Sequence, residues 1–207
     1  MFQNILLTTG VYLFWHFTQI FLEHDNDDNV NNDKIVDRLH NSIILSKLHN
    51  YLLNNMYITK LLIIVTTLMI DINMIYFFLE FIINNKIKPI VLLIGGVILR
   101  QLCQYINRLP MPKDVLWLDP GFPTLIMNYK VANDFFFSGH TLVSLIFGVE
   151  LFLSNNIYVK MYSIFYMMME ILFVLASRSH YFMDVYGAVS TYFMMSYIYD
   201  NFMVYLL

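Results

Sequence analysis

The sequence predicts an all-α integral membrane protein with six transmembrane helices. Of its 207 residues, 58% are hydrophobic and 13% are charged, whereas soluble domains have about 45–50% and about 25%. The 18 Phe, 15 Tyr and 14 Met supply more apolar surface than one water-facing domain of this size can cover. Six apolar stretches also reach or approach the roughly 20 residues that cross a bilayer. We therefore expect the surplus apolar surface to face lipid.

The apolar stretches give the expected organisation of the chain. They cover residues 5–22, 57–83, 90–105, 135–153, 157–176 and 181–207. Residues 1–22 are expected to form the first transmembrane helix, which we interpret as uncleaved because no basic region precedes it and it is longer than a signal-peptide core. Residues 23–56 are expected to form a polar loop and an amphipathic helix at the membrane interface. Residues 57–207 are expected to form the other five helices.

Composition excludes several classes of function. The single cysteine, Cys103, excludes an internal disulfide and a structural zinc site built from several thiolates. A net charge of −3 with only 12 Lys and Arg argues against nucleic acid as a partner. Four of the five prolines fall in residues 106–134, which predicts an ordered irregular loop. The expected partners are membrane lipids.

Two short polar segments begin predicted spans and carry the chemistry. His180 and Asp184 are four residues apart, so both lie on one face of the last helix. A carboxylate there can hold one ring nitrogen and leave the other as a nucleophile or base. His140 follows Ser138 and Gly139 in the first turn of the fourth span, where free N–H groups and the helix dipole favour a phosphate.

Two arginines complete the predicted constellation. Arg178 and Arg100 offer permanent charge with a geometry that suits phosphate oxygens. The order of the spans brings both histidines and the proline-rich loop to one membrane face, which indicates a phosphoryl-transfer site. The rival interpretation is a zinc site with His140, His180 and Asp184 as ligands, which the nearby arginines disfavour. We predict no metal and no cofactor.

Other polar residues receive weaker interpretations. Asp71 and Glu170 lie near the middle of predicted spans, where charges are costly and are candidates for function. Asp71 is predicted to pair with Arg100. His40 and His49 are interpreted as packed or interfacial residues of the polar segment.

These motifs resemble a known family. Residues 99–188 are similar to the type 2 phosphatidic acid phosphatase superfamily, and more specifically to its sphingomyelin synthase branch and to the plant phosphatidylcholine:diacylglycerol cholinephosphotransferases. The synthase pattern Asp-x-x-(Phe/Tyr)-Ser-Gly-His-Thr is met at residues 134–141. His-Tyr-Thr-x-Asp-Val is met at residues 180–185 with Phe182 in place of Thr, and Leu-Pro-x-Pro is met at residues 109–112.

Further details place the chain on the transferase side of this resemblance. Arg100 stands where the family has an arginine before Leu-Pro-x-Pro, and Arg178 is similar to the arginine of the plant Arg-Gly-His-Tyr. The family's Cys-Gly is replaced by Ala132 and Asn133. The three sequence blocks of the phosphatases match less well, because Arg178 lies two residues before His180 rather than six.

The resemblance implies a role for each matching residue. His180 would attack phosphorus to give a phosphohistidine, Asp184 would orient it, and His140 would act as acid and then as base. The implied substrate-binding and phosphate-binding residues are Arg100, Arg178, Ser138, Gly139 and Asp134.

The implied activity is transfer of a phosphocholine-like headgroup from a glycerophospholipid to the hydroxyl of diacylglycerol or ceramide. The alternative is a lipid phosphate phosphatase, in which water is the acceptor, and a third hypothesis is a non-catalytic membrane protein. The resemblance also implies a multi-pass protein of an endomembrane or the plasma membrane, with cytosolic termini and a lumenal or exoplasmic site. A homodimer is compatible with the sequence.

Overall fold

The computed structural model describes residues 3–7, 9–10, 12–13, 37–107, 109–125, 129 and 136–202, and the regular structure in these residues is helical throughout. The prediction of an all-α protein is thereby confirmed. The helices whose first and last residues are both described are α1 (Ile43–Asn54), α2 (Met56–Asn84), α3 (Lys88–Ile106), α4 (Gly139–Phe152), α5 (Ile157–Ala176) and α6 (Phe182–Asn201). The described residues between positions 3 and 13 are helical as well.

Three of these helices, α2, α3 and α5, are long and apolar enough to cross a membrane. The chain is therefore a membrane protein. Helix α4 is apolar but has 14 residues, so it covers roughly 21 Å of a hydrocarbon core of about 30 Å. It begins at Gly139, four residues after the predicted start of that span. Helix α6 has 20 residues but is not among the helices that are long and apolar enough. The six-span arrangement therefore remains a prediction, and residues 14–36 and 203–207 lie outside the described residues.

Local sequence explains where the helices begin and end. Asn85 ends α2 in the left-handed conformation with φ 55°, which Asn adopts more readily than most residues. Pro89 lies in the first turn of α3, where a missing N–H costs nothing. Ser138 caps α4, because its side chain accepts a hydrogen bond from the Thr141 N–H. Asn156 caps α5 in the same way.

Helix α4 is the centre of the bundle and contacts α2, α3, α5 and α6. Around it lies the main apolar core, in which the rings of Phe77 and Phe147 stack with centroids 4.9 Å apart. A second apolar cluster joins Leu45 and Leu52 of α1 to Val174 and Leu175 near the end of α5. This second cluster attaches the short helix α1 beside the turn that connects α5 to α6.

Ion pairs mark one end of the bundle. Lys86 lies 3.1 Å from Glu150, and Lys88 lies 2.8 Å from Asp200. The side chain of Asn4 donates to a carbonyl oxygen in the last turn of α2 at 3.3 Å, so the N-terminal helical residues also lie at this end. The end of α3, the start of α4 and the turn between α5 and α6 consequently meet at the opposite end, where the candidate site lies.

Candidate active site

His180 and Asp184 form a buried pair at the start of α6. The His180 Nδ1 atom lies 3.4 Å from the Asp184 Oδ2 atom, and the two side chains are almost completely buried. The same Asp184 oxygen accepts a hydrogen bond from the Tyr181 N–H at 2.9 Å. This bond stabilises the first turn of the helix and holds the carboxylate in place. Asp184 is thus oriented toward one ring nitrogen of His180, so that the other nitrogen, Nε2, is the one suited to react.

His140 lies in the first turn of α4 and its side chain is also buried. Its Nε2 atom has no hydrogen-bond partner among the described residues. The start of the helix that carries His140 is hydrogen-bonded to the backbone of Asp184 and to the side chain of Arg100, so these groups lie close in space. The two histidines separated by 40 positions in the chain therefore belong to one cluster.

Backbone contacts hold the two helix starts together. The Ser138 N–H donates to the carbonyl oxygen of Asp184 at 3.1 Å. Arg100, which is buried near the end of α3, donates from Nε to the carbonyl oxygen of Phe137 at 2.8 Å. A Cβ atom at Gly139 would lie 3.3 Å from this Nε atom. Glycine thus lets Arg100 approach the helix start that carries His140.

The remaining predicted site residues lie differently. Arg178 is 3.5 Å from Asp114 through its Nη1 atom, and its charge acts on His40 and His49. This contact places Arg178 against the proline-rich loop. Its predicted binding of phosphate remains a prediction, and Asp134 lies outside the described residues.

The proline-rich loop is docked on the turn that carries His180. The Leu116 N–H donates to the carbonyl oxygen of Ser177 at 2.8 Å. The Tyr181 hydroxyl donates to the carbonyl oxygen of Pro110 at 3.1 Å. The Leu-Pro-x-Pro segment consequently fixes the position of the residue next to His180.

Two aromatic residues of the same loop surround His140. The rings of Trp117 and Tyr129 stack with centroids 4.8 Å apart. Both lie roughly perpendicular to the His140 ring, with centroids at 5.5 Å and 6.4 Å respectively. The Tyr129 hydroxyl forms a hydrogen bond with the Thr67 hydroxyl of α2. Sequence reasoning missed this aromatic wall, because the loop residues that form it follow no periodic pattern.

Sequence reasoning also missed the role of two buried histidines that precede or belong to α1. The His40 Nε2 atom lies 3.0 Å from the carbonyl oxygen of His180, and the His49 Nδ1 atom lies 2.9 Å from the carbonyl oxygen of Ala176. Burial lowers the pKa of both side chains below the ordinary value of 6.5. Both are therefore neutral at pH 7 and able to donate to these carbonyl oxygens.

Asp37 adds a third contact from the same segment. Its Oδ2 atom accepts a hydrogen bond from the Phe182 N–H at 2.6 Å, and the ring of His40 stacks on that of Tyr181 with centroids 6.1 Å apart. We name residues 37–40 the strap, because they cross the turn that carries His180. The only sequence signals for the strap are the residue types themselves, Asp and His beside an amphipathic helix.

The two acidic side chains inside the bundle, Asp71 and Glu170, have different environments. Both carboxylate oxygens of Asp71 accept from the Leu125 N–H, at 3.2 Å and 3.3 Å. The proline-rich loop thus reaches the middle of α2. Water is scarce at that depth of a membrane, so a loop N–H group there needs an acceptor from the protein. The Glu170 carboxylate is fully buried and has no hydrogen-bond partner among the described residues. The predicted pairing of Asp71 with Arg100 remains a prediction.

The site therefore combines groups that are suited to phosphoryl transfer. It has a carboxylate-oriented imidazole, a second imidazole with a free nitrogen, a buried guanidinium and the start of a capped helix. Such groups can supply a nucleophile, a proton donor and positive potential for phosphate oxygens.

Comparison with known proteins identifies the family. A family model described as AtPDCT1/2 matches residues 41–201, which is well over half of the 207-residue chain. No curated protein and no solved structure shows significant similarity to the chain. The match supports the plant cholinephosphotransferase side of the resemblance and an enzyme of lipid metabolism. The chain belongs to the AtPDCT1/2 family.

Proposed function

We propose that this protein transfers a phosphocholine headgroup from a glycerophospholipid to a lipid hydroxyl, by double displacement through a phosphohistidine on His180. The carrying observation is that His180 and Asp184 form a buried pair and that the backbone of Asp184 is hydrogen-bonded to Ser138, the cap of the helix that carries His140. The acceptor is diacylglycerol or ceramide. Water as the acceptor would make the same site a phosphatase, which the experiment below distinguishes.

In the first step the Nε2 atom of His180 attacks phosphorus. The bond between phosphorus and the lipid oxygen breaks, and His140 in its protonated form gives its proton to that oxygen. Diacylglycerol leaves and phosphocholine stays bound to His180. Asp184 supports the attack because its carboxylate, 3.4 Å from Nδ1, stabilises the positive charge that the ring acquires.

In the second step the roles of His140 reverse. As a neutral base it removes the proton of the acceptor hydroxyl, whose oxygen attacks phosphorus and displaces His180. Arg100 and the amide groups at the start of α4 neutralise charge on the phosphoryl oxygens in both steps. Proton and phosphoryl group balance over the two steps, and the enzyme returns to its initial state.

The aromatic wall supports choline as the headgroup alcohol. A phosphoryl group bound between His140 and His180 is separated by one ethylene unit from the cationic nitrogen of choline. The rings of Trp117 and Tyr129 pack beside His140, with centroids 5.5 Å and 6.4 Å from its ring. Aromatic faces attract quaternary ammonium groups within about 6 Å. This surrounding favours a trimethylammonium over a free phosphate monoester.

The test uses purified protein in mixed micelles. Phosphatidylcholine, phosphatidylethanolamine or phosphatidic acid is the donor, and fluorescent diacylglycerol or fluorescent ceramide is the acceptor. Wild type is expected to form a new fluorescent phospholipid from phosphatidylcholine. His180→Ala should abolish formation, and Asp184→Asn should reduce it by about 100-fold or more because the ring loses its charged partner.

Two controls define the interpretation. Leu172→Trp, on the exposed face of α5, should retain wild-type turnover and thus control for expression and handling. A labelled protein linkage that is stable to base and sensitive to acid would identify the phosphohistidine. Full turnover by His180→Ala would refute the mechanism, whereas His180-dependent release of inorganic phosphate without transfer would establish the phosphatase.

The proposed topology follows the same resemblance. We propose six spans with both termini on the cytosolic side and the site on the lumenal or exoplasmic side. Asn4 contacts the last turn of α2, and Asp200 near the end of α6 pairs with Lys88 at the start of α3. Both contacts lie at the α2–α3 connection, which supports a common side for the termini. Protease protection of tags at each terminus in sealed membranes tests this arrangement.

A further inference from the structure

Glu170 is a buried carboxylate that the proposed mechanism does not use. It lies in α5 with 0% of its surface exposed. Neither of its carboxylate oxygens has a hydrogen-bond or ion-pair partner among the described residues. A charge inside a membrane bundle is costly unless a counter-charge neutralises it. Since no described side chain neutralises Glu170, a bound species has this role.

Tyr166 places a second unpartnered group beside Glu170. The two residues are one turn apart on the same face of α5, and helical side chains lean toward the start of their helix, so Glu170 leans toward Tyr166. The Tyr166 hydroxyl is fully buried and also has no hydrogen-bond partner in the described part of the chain. The two side chains are thus not bonded to each other. A ligand between them would contact the hydroxyl and both carboxylate oxygens.

A polar route leads to these two residues from a cavity at the end of the bundle opposite the catalytic residues. The cavity has a volume of about 530 Å³ and is lined in part by the ion pair of Lys86 and Glu150. Asn73 and Tyr162 also line it, and the Asn73 amide donates to the Tyr162 hydroxyl at 3.0 Å. The rings of Tyr162 and Tyr166 stack with centroids 6.1 Å apart. Tyr166 therefore lies one helical turn beyond the lining of the cavity.

The unpartnered atoms determine the class of ligand. They are two carboxylate oxygens and one phenol oxygen, and oxygen atoms are the ligands that hard cations prefer. The single carboxylate carries one negative charge, so a monovalent cation leaves the buried site neutral, whereas a divalent cation leaves a net charge. A water molecule bonds to the same atoms but leaves the charge of the carboxylate uncompensated.

We propose that Glu170 and Tyr166 bind a monovalent alkali cation, Na⁺ or K⁺, which enters through the cavity lined by Asn73 and Tyr162. Tyr166 belongs to the apolar core that joins α2, α4 and α5, so the cation binds where these three helices meet. It stabilises the folded protein and takes no part in headgroup transfer. The proposal is independent of the proposed function.

The test measures the melting temperature of purified protein in detergent at constant ionic strength. The salt is N-methyl-D-glucamine chloride, whose organic cation is too large for a buried site, or NaCl or KCl. Na⁺ or K⁺ should raise the wild-type melting temperature saturably, by about 3 °C or more. Glu170→Gln keeps the shape of the side chain and removes its charge, so it should show no such shift. Tyr166→Phe should need about tenfold more cation for half of the shift.

Glu80→Gln is the matched control, because Glu80 lies in α2 and its carboxylate accepts from the Asn84 side chain at 3.1 Å. This variant should respond to the cation as wild type does. Equal melting temperatures of wild type in all three salts would overturn the proposal, and so would a shift that Glu170→Gln retains.

A second measurement needs no variant. Wild type should bind radioactive Na⁺ or Rb⁺ saturably, and N-methyl-D-glucamine should not displace the bound ion. The absence of saturable binding of both ions would overturn the proposal even if Glu170→Gln does not fold. An infrared band of a protonated carboxyl group that Glu170→Gln lacks would identify a proton as the neutralising species, and would likewise overturn the cation site.

Discussion

The Nε2 atom of His40 lies 3.0 Å from the carbonyl oxygen of His180, so a residue of the strap contacts the backbone of the proposed nucleophile. His49 forms a matching contact with the carbonyl oxygen of Ala176, four positions earlier. Both histidines are buried and neutral at pH 7, and they differ in which carbonyl they contact. Substitutions at these two positions can therefore distinguish a contribution to stability from a contribution to the position of the nucleophile.

The first prediction concerns these two positions. His40→Ala and His49→Ala should each lower the free energy of unfolding by about 1–3 kcal/mol, because each removes a buried side-chain donor to a main-chain carbonyl oxygen. Only His40→Ala should also lower kcat for headgroup transfer, by about tenfold, because the His180 ring shifts relative to phosphorus. His40→Gln, which retains a donor, should recover part of the loss. Melting temperature and kcat at saturating lipid measure the two effects, and equal kcat losses in both alanine variants would contradict a positioning role.

The second prediction is a loss of stability in mild acid. Burial holds the pKa of His40 and His49 below 6.5 in the folded protein. As pH falls through 6.5, the unfolded chain binds more protons on these residues than the folded protein does, so stability decreases. Each group contributes at most about 1.4 kcal/mol per pH unit in this range.

Melting temperatures at pH 7.5, 6.5 and 5.5 check this effect, with a His40→Gln, His49→Gln double variant for comparison. Wild type should lose more stability between pH 7.5 and 5.5 than the double variant. Parallel profiles would show that other groups determine the acid sensitivity.

The third prediction concerns the glycine beside Arg100. A Cβ atom at Gly139 would lie 3.3 Å from the Arg100 Nε atom, which is bonded to the carbonyl oxygen of Phe137. Gly139→Ala should displace the guanidinium at a cost of about 1–3 kcal/mol. If the transition state bears this whole cost, kcat/KM falls by roughly fivefold to 150-fold. Gly95→Ala is the control, because its added methyl group would meet only the flexible side chain of Met195. If Gly139→Ala has the kinetics of wild type, the close approach of Arg100 to residue 139 is not required for activity.

The fourth prediction tests the docking of the proline-rich loop. Asp71→Ala removes the acceptor of the Leu125 N–H and should lower the free energy of unfolding by about 1–3 kcal/mol. Asp71→Asn keeps an acceptor oxygen and should cost less. Limited proteolysis of residues 107–138 should be faster in the alanine variant. If both substitutions are equally harmful, the charge of Asp71 matters more than its bond to the loop.

Local spacing explains what sequence alone could predict. The four-residue spacing predicted that His180 and Asp184 meet, and they do, at 3.4 Å. The prediction that both lie on one helix face was wrong, because α6 begins at Phe182 and His180 belongs to the turn before it. Ser138 is a strong helix cap, so the start of α4 also follows from nearby residues. The predicted start of the fourth span, at residue 135, is four residues too early, because Phe136 and Phe137 are as apolar as a helix interior. The cap at Ser138 instead determines the start.

Long-range backbone contacts explain what sequence alone could not predict. The partners of His40, His49 and Asp71 are main-chain groups 54 to 140 positions away, and every residue type carries such groups. No pattern of side chains distinguishes one carbonyl or N–H from another. The strap and the docked loop therefore became visible only in three dimensions.

The bond between Leu125 and Asp71 also bears on the competition between lipid and water for the phosphohistidine. The proline-rich loop extends down to the middle of α2, and its Trp117 and Tyr129 rings pack around His140. In the proposed mechanism, water that approaches the headgroup from the aqueous side would meet this loop, whereas a lipid hydroxyl would reach the histidines from the side of the bilayer. The direction of access would then select the acceptor and suppress hydrolysis without any group that recognises and rejects water.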